Sequence, residues 1–382
     1  MNISSKPGLY LHIPFCQSKC GYCDFYSQTD LSLVSPFVKA LLREIKLLAE
    51  TIRPSMNFDT VYIGGGTPSL LSEKSIDLIF NSLSKYFTLD QKNEITIEVN
   101  PGTVSQAKLK YLRALGINRL SIGVQSFNDR ELHLLGRIHS AVQAKHAILK
   151  SRENGFDNIN IDLIFALPGQ TLEEWRSSLQ TTLDFKPEHL SVYNLTYEKG
   201  TPFYQLLQQG ELRPLNDTKE FDLFMYAESL LAGNGYHHYE ISNYSLSDLT
   251  ISRHNYKYWT HVSYLGFGPG AHSFWNNSRR ANIDSVSKYI EDLKKGSLPH
   301  GPAEDLTREQ LKFEHIFLSL RTYRGLYLKK YEKKFGVRFA SEFASVIDYL
   351  VKQNLGVISD TFFRLTNNGM LMYNEILPDF SI

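Results

Sequence analysis

The chain of 382 residues holds three cysteines, and all of them fall in one C-x3-C-x2-C run: Cys16, Cys20 and Cys23. A secreted disulfide scaffold spreads an even number of cysteines along the chain, so these thiols point to a reducing compartment and a metal. Thiolates this close together can converge on one centre without a long element between them. Three are too few for a closed structural zinc or for a cluster held by four cysteines. A [4Fe–4S] cube on three cysteines keeps one iron open for an outside ligand. The competing reading is zinc with His12 as fourth ligand. His12 lies inside the preceding apolar run, where its side chain need not face the loop.

The elements that would position such a loop show in the hydrophobic periodicity. Short apolar runs rich in Val, Ile and Tyr recur at 8–14, 59–63, 94–99, 119–124, 158–165 and 189–195. Amphipathic stretches of helical length lie between or after them, at 35–51, 72–87, 105–115, 141–154, 172–184 and 219–232. Ser72 and Ser105 stand where side chains cap helix starts, and Gly116 and Gly155 where helices stop. Six strand–helix units imply a parallel sheet, because each return to a parallel neighbour needs a crossover. The spacing suits a barrel or a doubly wound sheet. The polar residues at the strand ends favour a curved partial barrel.

Ligands of parallel barrels bind at the C-terminal ends of the strands. There the sequence places Gly64-Gly65-Gly66-Thr67-Pro68, then Glu98 and Asn100, then Gly123 and Gln125, then Asp162, then Asn194 and Thr196. Each has a plain structural reading. The glycines can be a tight turn, Glu98 an acid at a helix start, and Arg137 a solvated loop cation. Together they bring polar groups to one end of every strand after the cysteine loop, which a closed core would not need. Asp162, inside an apolar strand, needs a partner. Three glycines let a ligand approach the backbone, where free N–H and C=O groups could meet an amino acid moiety.

Beyond about residue 236 the rhythm stops. Residues 236–302 are rich in Tyr, His, Asn and Gly, with no long periodic segment, and contain His254-Asn255-Tyr256-Lys257-Tyr258-Trp259. That run joins an imidazole able to ligate iron to two aromatics able to cover a flat ring. The alternative is that Tyr258 and Trp259 are buried under a loop and His254 bonds the backbone. His237, His238, His261 and His272 are rival ligands, and 266–270 reads as a constrained loop nearby. From 303, three helices and a hairpin at 356–366 suggest a winged-helix-like module. Its eleven Lys/Arg against ten Asp/Glu give no basic face for DNA.

The cysteine run after a first strand, with Tyr22 before the last thiol, resembles the radical S-adenosylmethionine (SAM) superfamily. The longer stretch from Tyr10 through Cys16, Cys20 and Cys23 to Phe25 resembles the branch holding oxygen-independent coproporphyrinogen III oxidases and haem chaperones. The likeness runs on through the C-terminal module. It implies an α/β radical SAM fold: a six-unit partial TIM barrel with a C-terminal winged-helix-like domain. It also implies a [4Fe–4S] cluster whose open iron is chelated by SAM, and one-electron cleavage to a 5′-deoxyadenosyl radical. The SAM contacts it implies are Tyr10, Tyr22, Gly65, Gly66, Thr67, Glu98, Gln125, Arg137, Asp162 and Thr196. In the oxidases part of that set serves a second SAM.

Two departures set this chain apart from the oxidases of that branch. They carry a further cysteine two residues after the third ligand, where this chain has Phe25, and an extension before the barrel, whose first strand here begins near Gly8. The HNxxYW run is instead similar to a motif of the haem chaperones, implying His254, Asn255, Tyr258 and Trp259 at haem. The expectation is a haem chaperone that binds cluster, SAM and haem and delivers haem to acceptor haemoproteins. The alternative is porphyrinogen decarboxylation; a DNA-binding regulator is a third. The domains expected are 1–235, 236–302 and 303–382.

Charge and composition bound the partners. Lys+Arg 41 against Asp+Glu 40 leaves no strong field for a nucleic-acid backbone or an anionic membrane. No apolar run reaches the length of a membrane span, and Met1 to Pro7 carry no secretory or transit signal. A cytoplasmic protein is expected, touching membrane haemoproteins only in passing.

Overall fold

The structure is a computed structural model that describes residues 5–52 and 56–381. Six parallel strands run in sequence order: β1 (Gly8–Ile13), β2 (Asn57–Gly65), β3 (Thr88–Val99), β4 (Arg119–Gln125), β5 (Ile159–Phe165) and β6 (His189–Asn194). Crossovers are made by α1 (Val34–Ala49), α2 (Glu73–Tyr86), α3 (Gln106–Ala114), α4 (Asp129–Leu135) with α5 (Ala141–Glu153), and α6 (Leu172–Asp184). Ser72 and Ser105 accept from the backbone N–H groups of Ser75 and Lys108, capping α2 and α3. Gly116 and Gly155 take positive φ at helix ends.

Alternation within the strands gives the sheet two unlike faces. Leu9, Leu11 and Ile13 of β1 are fully buried in the core shared with the helices, as are Val61 of β2 and Ile97 of β3. The opposite face carries Tyr10 and His12, Thr60 and Tyr62, Glu94 and Glu98, Arg119 and Ser121, Asn160 and Asp162, His189 and Ser191. A parallel sheet with both faces packed reads as continuous apolar runs. A filled barrel has branched apolar residues inside. Here the inner face is polar, so the lumen is built for a ligand.

The sheet does not close. After α7 (Pro202–Gln208) and α8 (Asp217–Gly233), β7 (His237–Glu240) and β8 (Asn243–Ser245) add to β6. After α9 (Arg253–Trp259), β9 (Tyr264–Phe267) lies parallel to β1. β10 (His272–Trp275), β11 (Ser278–Ala281) and, after α10 (Val286–Lys294), β12 (Glu304–Asp305) extend that edge. Residues 236–302 thus flank both edges of the barrel, which their composition did not suggest. Gly266, in β9, and Gly268 are needed there: a Cβ would lie 2.0 Å from His272 O and 2.3 Å from His12 O respectively.

The C-terminal residues have their own core, built on Leu320, Leu326, Tyr331, Phe339, Phe363 and Phe380. It comprises α11 (Arg308–Leu320), β13 (Leu326–Tyr327), α12 (Leu328–Phe335), α13 (Phe339–Glu342), α14 (Ala344–Lys352), β14 (Gly356–Ile358), β15 (Phe362–Leu365) and α15 (Asn367–Leu371). The hairpin becomes a three-stranded sheet because β13 pairs with β15.

Candidate functional site

The cysteine loop leaves β1 and is pinned to the glycine turn after β2. Gly66 N–H donates to Ile13 O (2.9 Å) and Thr67 N–H to Phe15 O (2.7 Å). A Cβ on Gly66 would lie 2.7 Å from Phe15 O and 3.0 Å from Cys16 Sγ, so only glycine allows this approach. Gly65 N–H donates to Glu98 Oε2 (3.0 Å). All three N–H groups are thus committed within the protein, and the turn offers a ligand its carbonyls rather than free donors.

Cys16, Cys20 and Cys23 are free and half-buried. They share a recess of about 50 Å³ with Gly65, Gly66, Thr67 and Arg137. Thr67 Oγ1 lies 3.6 Å from Cys16 Sγ, and an Arg137 nitrogen 3.7 Å from Cys20 Sγ. Burial pushes the Cys23 thiol up to about 11. Among the described residues no three His, Cys, Asp or Glu side chains converge on a single metal ion. His12 cannot complete a zinc site as placed: Nδ1 bonds Tyr10 Oη (2.9 Å) and Nε2 bonds Tyr26 O (2.7 Å). Three free thiols spread around one recess fit a cluster with an open iron better than one zinc ion. Arg137 Nε, buried and without a partner, is a donor left over at that spot.

The recess borders a cavity of about 1100 Å³ at the C-terminal ends of the strands. Nine of the ten expected SAM residues line it: Tyr22, Gly65, Gly66, Thr67, Glu98, Gln125, Arg137, Asp162 and Thr196. Glu98 accepts from Tyr62 Oη (2.8 Å) as well as Gly65 N, and burial pushes its carboxyl up to about 7. Asp162 accepts from Asn160 Nδ2 (2.7 Å) and Ser121 Oγ (3.2 Å), which are the partners its position required; burial raises it too. Gln125 stands at φ 68°, a left-handed conformation costly for a residue with a Cβ. The register slips there, between Gly123 and Gln125. Tyr10 does not reach the cavity wall. It packs beside Tyr62 and His254, with ring centroids 6.2 and 6.4 Å away.

The HNxxYW run forms α9 and divides its residues between different surroundings. Glu94 accepts the backbone N–H groups of Arg253 and His254, both at 2.9 Å, and so caps the helix. His254 is fully buried. Its Nδ1 meets Thr60 Oγ1 at 2.8 Å and its Nε2 meets Tyr258 Oη at 2.9 Å. Both ring nitrogens are occupied, and burial lowers the ring's pKa to about 3. Asn255 alone of the expected four lines the cavity. Trp259 lies under the Arg321 guanidinium, 5.5 Å away. Among the rivals, His237 and His272 are exposed and His261 stacks on Phe274 (4.3 Å). His238 lines the cavity.

Sequence reasoning passed over the second layer. Arg119 is buried, with no partner for any guanidinium nitrogen, and its charge opposes the effect of burial on Glu98 and Asp162. The period-two alternation of β4, placing Arg119 and Ser121 on one face, was the available signal. The wall formed by Arg321, Tyr323, Asn367, Asn368 and Leu371 had no local signal.

Comparison with known proteins places this geometry. The Radical SAM superfamily profile matches residues 10–181, and the HemN C-terminal domain profile matches residues 306–372. Over 374 residues the chain is 36% identical to Heme chaperone HemW of Bacillus subtilis (strain 168), across 97% of this chain and 98% of that protein. The chain belongs to the HemW family of radical SAM proteins. Another member, Heme chaperone HemW of Lactococcus lactis subsp. lactis (strain IL1403), is 34% identical over 97% of this chain and 96% of its own length. Among solved structures, coproporphyrinogen III oxidase (HemN) from Escherichia coli, described as a radical SAM enzyme, superposes with a TM-score of 0.85. It is 24% identical and covers 100% of this chain and 91% of its own. That likeness shows the shared family fold, barrel and C-terminal module together.

Proposed function

We propose that this chain is a haem chaperone of the cytoplasm, which holds a [4Fe–4S] cluster, SAM and haem and passes haem to acceptor haemoproteins. The observation that carries the reading is one cavity running from the three-cysteine recess to the C-terminal module, with Phe25 on its wall, 65% exposed, where an oxidase would have a thiol. Cys16, Cys20 and Cys23 would hold the cluster, which would bind SAM at the iron they leave open and would supply a single electron when reduced. Glu98 and Asp162 accept hydrogen bonds from ligand hydroxyls, and Gln125 offers both a donor and an acceptor. Arg137 meets a carboxylate with its unpaired Nε. Exposed apolar side chains farther out on the same wall give a porphyrin its contact area.

A cavity of this size also admits a porphyrinogen, so decarboxylation is the reading to test against. The protein is reconstituted anaerobically and given coproporphyrinogen III, SAM and a reductant, and haem is titrated into the same preparation. The expected result is haem binding with no protoporphyrinogen. Protoporphyrinogen formed over many turnovers overturns the chaperone reading.

A further inference from the structure

The outer half of the cavity has a composition of its own. Phe221 and Met225 of α8, Tyr193 of β6 and Leu371 of α15 are 39–47% exposed, and all face this one chamber. Large apolar side chains gathered on one open surface mark a binding site. Among the described residues His238 is the only histidine on the wall, and it is closed to a ligand. Tyr244 and Tyr323 cover its faces, with ring centroids 4.1 and 4.4 Å away, and Ile241 O stands 3.2 Å from Nε2. What this wall offers a planar acid is apolar area and a cation, Arg321, rather than an iron ligand.

Three aromatic rings surround the Arg321 guanidinium: Trp259 of α9 at 5.5 Å, and Phe317 of α11 and Tyr373, each at 5.2 Å. Tyr373 Oη donates to Phe317 O (2.7 Å), which ties two of the three together. Arg321 Nε is buried, and among the described residues no nitrogen of this guanidinium has a hydrogen-bond or ion-pair partner. Rings against a guanidinium hold its plane and leave the N–H edge free, the fork that matches a carboxylate. Glu240, an acid close enough to feel this charge, does not neutralise it. Glu240 is buried and bonded by the Asn243 side chain and by Ser242 N–H (3.4 Å), and burial raises its carboxyl. Asn374, next to Tyr373, and Asn368 add amide donors to the same wall. We infer that Arg321 takes a propionate carboxylate of the porphyrin, so that the chain grips a tetrapyrrole by its acid edge whether or not the ring holds iron. This rests on the chaperone reading. The cage also gives the HNxxYW run a part in binding: Trp259 is a positioning residue that acts on the porphyrin through Arg321, and it ties the barrel to the C-terminal module. The step is an ion pair between a deprotonated propionate and a permanently charged guanidinium, and no covalent bond changes.

The test titrates haem, metal-free protoporphyrin IX and the dimethyl ester of each into the full-length, cluster-loaded protein, in one solvent mixture. In the parent both acids should bind at least about tenfold more tightly than their esters. In Arg321→Gln the acids should weaken by the same factor and the preference for acid over ester should vanish, while SAM affinity and stoichiometry stay as in the parent. The ester comparison in the parent needs no variant, so it stands even where Arg321→Gln fails to fold. Equal affinity of acid and ester in the parent overturns the inference and leaves the chaperone reading standing, as does a preference that survives in folded Arg321→Gln. Loss of a SAM equivalent in that variant assigns the site to the carboxylate of SAM and overturns the inference too. A parent protein that takes up no haem overturns both.

Discussion

Glu98 shows at the scale of one side chain how burial sets ligand chemistry. Its carboxyl is pushed up to about 7, so near neutral pH it is shared between acid and carboxylate. Ligand hydroxyls need the carboxylate as acceptor. SAM affinity of the cluster-loaded protein should therefore fall as pH drops below about 7, roughly tenfold weaker by pH 6 than above pH 8. Isotherms across that range check this, and Glu98→Gln should be weaker and flat with pH. The same shift acts on folding with the opposite tilt. Glu98 and Glu44, which burial also raises to about 7, keep their protons in the folded protein above the pH at which the unfolded chain loses them. Their contribution to stability is present below about 4.5 and is lost as pH rises through about 7. At this scale the cysteines, the glycine turn, Glu98 and Asp162 were legible, because residue type and strand-end position announce them. The burial of His254 was not, because it depends on how α9 docks, and Glu94, some 160 positions away in the chain, fixes that.

At the scale of elements, α9 is the part whose sequence motif and physical setting differ most. It is fastened by Glu94 at its start and by Asp59, which pairs with Lys257 at 2.6 Å and with Arg253 at 2.9 Å. Asp59 and Lys257 are almost fully buried, with side chains 1% and 2% exposed. Removing one member of such a pair leaves a buried charge, so Asp59→Asn should destabilise the apoprotein by about 3 kcal/mol or more. Chemical denaturation measures it. Asp59→Leu combined with Lys257→Met should cost less, since both buried charges go and Arg253 is partly solvated. The six strand–helix units were legible here because each has its own periodicity, and α2 to α6 each start at a side-chain cap. The nine-residue helix α10 was missed: Val286, Tyr289, Ile290 and Leu293 carry the right spacing, but over too short a span to stand out among polar neighbours.

Across the whole molecule, the C-terminal module supplies the far wall of a chamber whose near wall is the cysteine loop. Asn368, exposed on α15, lines that far wall. Asn368→Trp should obstruct the outer half alone, weakening haem binding about tenfold while leaving SAM affinity within about twofold; parallel titrations of the two ligands check it. The module's elements could be read from sequence, but its place against the barrel could not, since that depends on contacts between distant segments. The measurement that bears most directly on the central claim is transfer. Cluster- and haem-loaded protein is mixed with an apo-haemoprotein, and the acceptor's spectrum is followed with SAM present and no porphyrinogen. Haem should move to the acceptor faster than it dissociates into a passive haem scavenger. Haem that stays on the chain, or reaches acceptor and scavenger at the same rate, would contradict that claim.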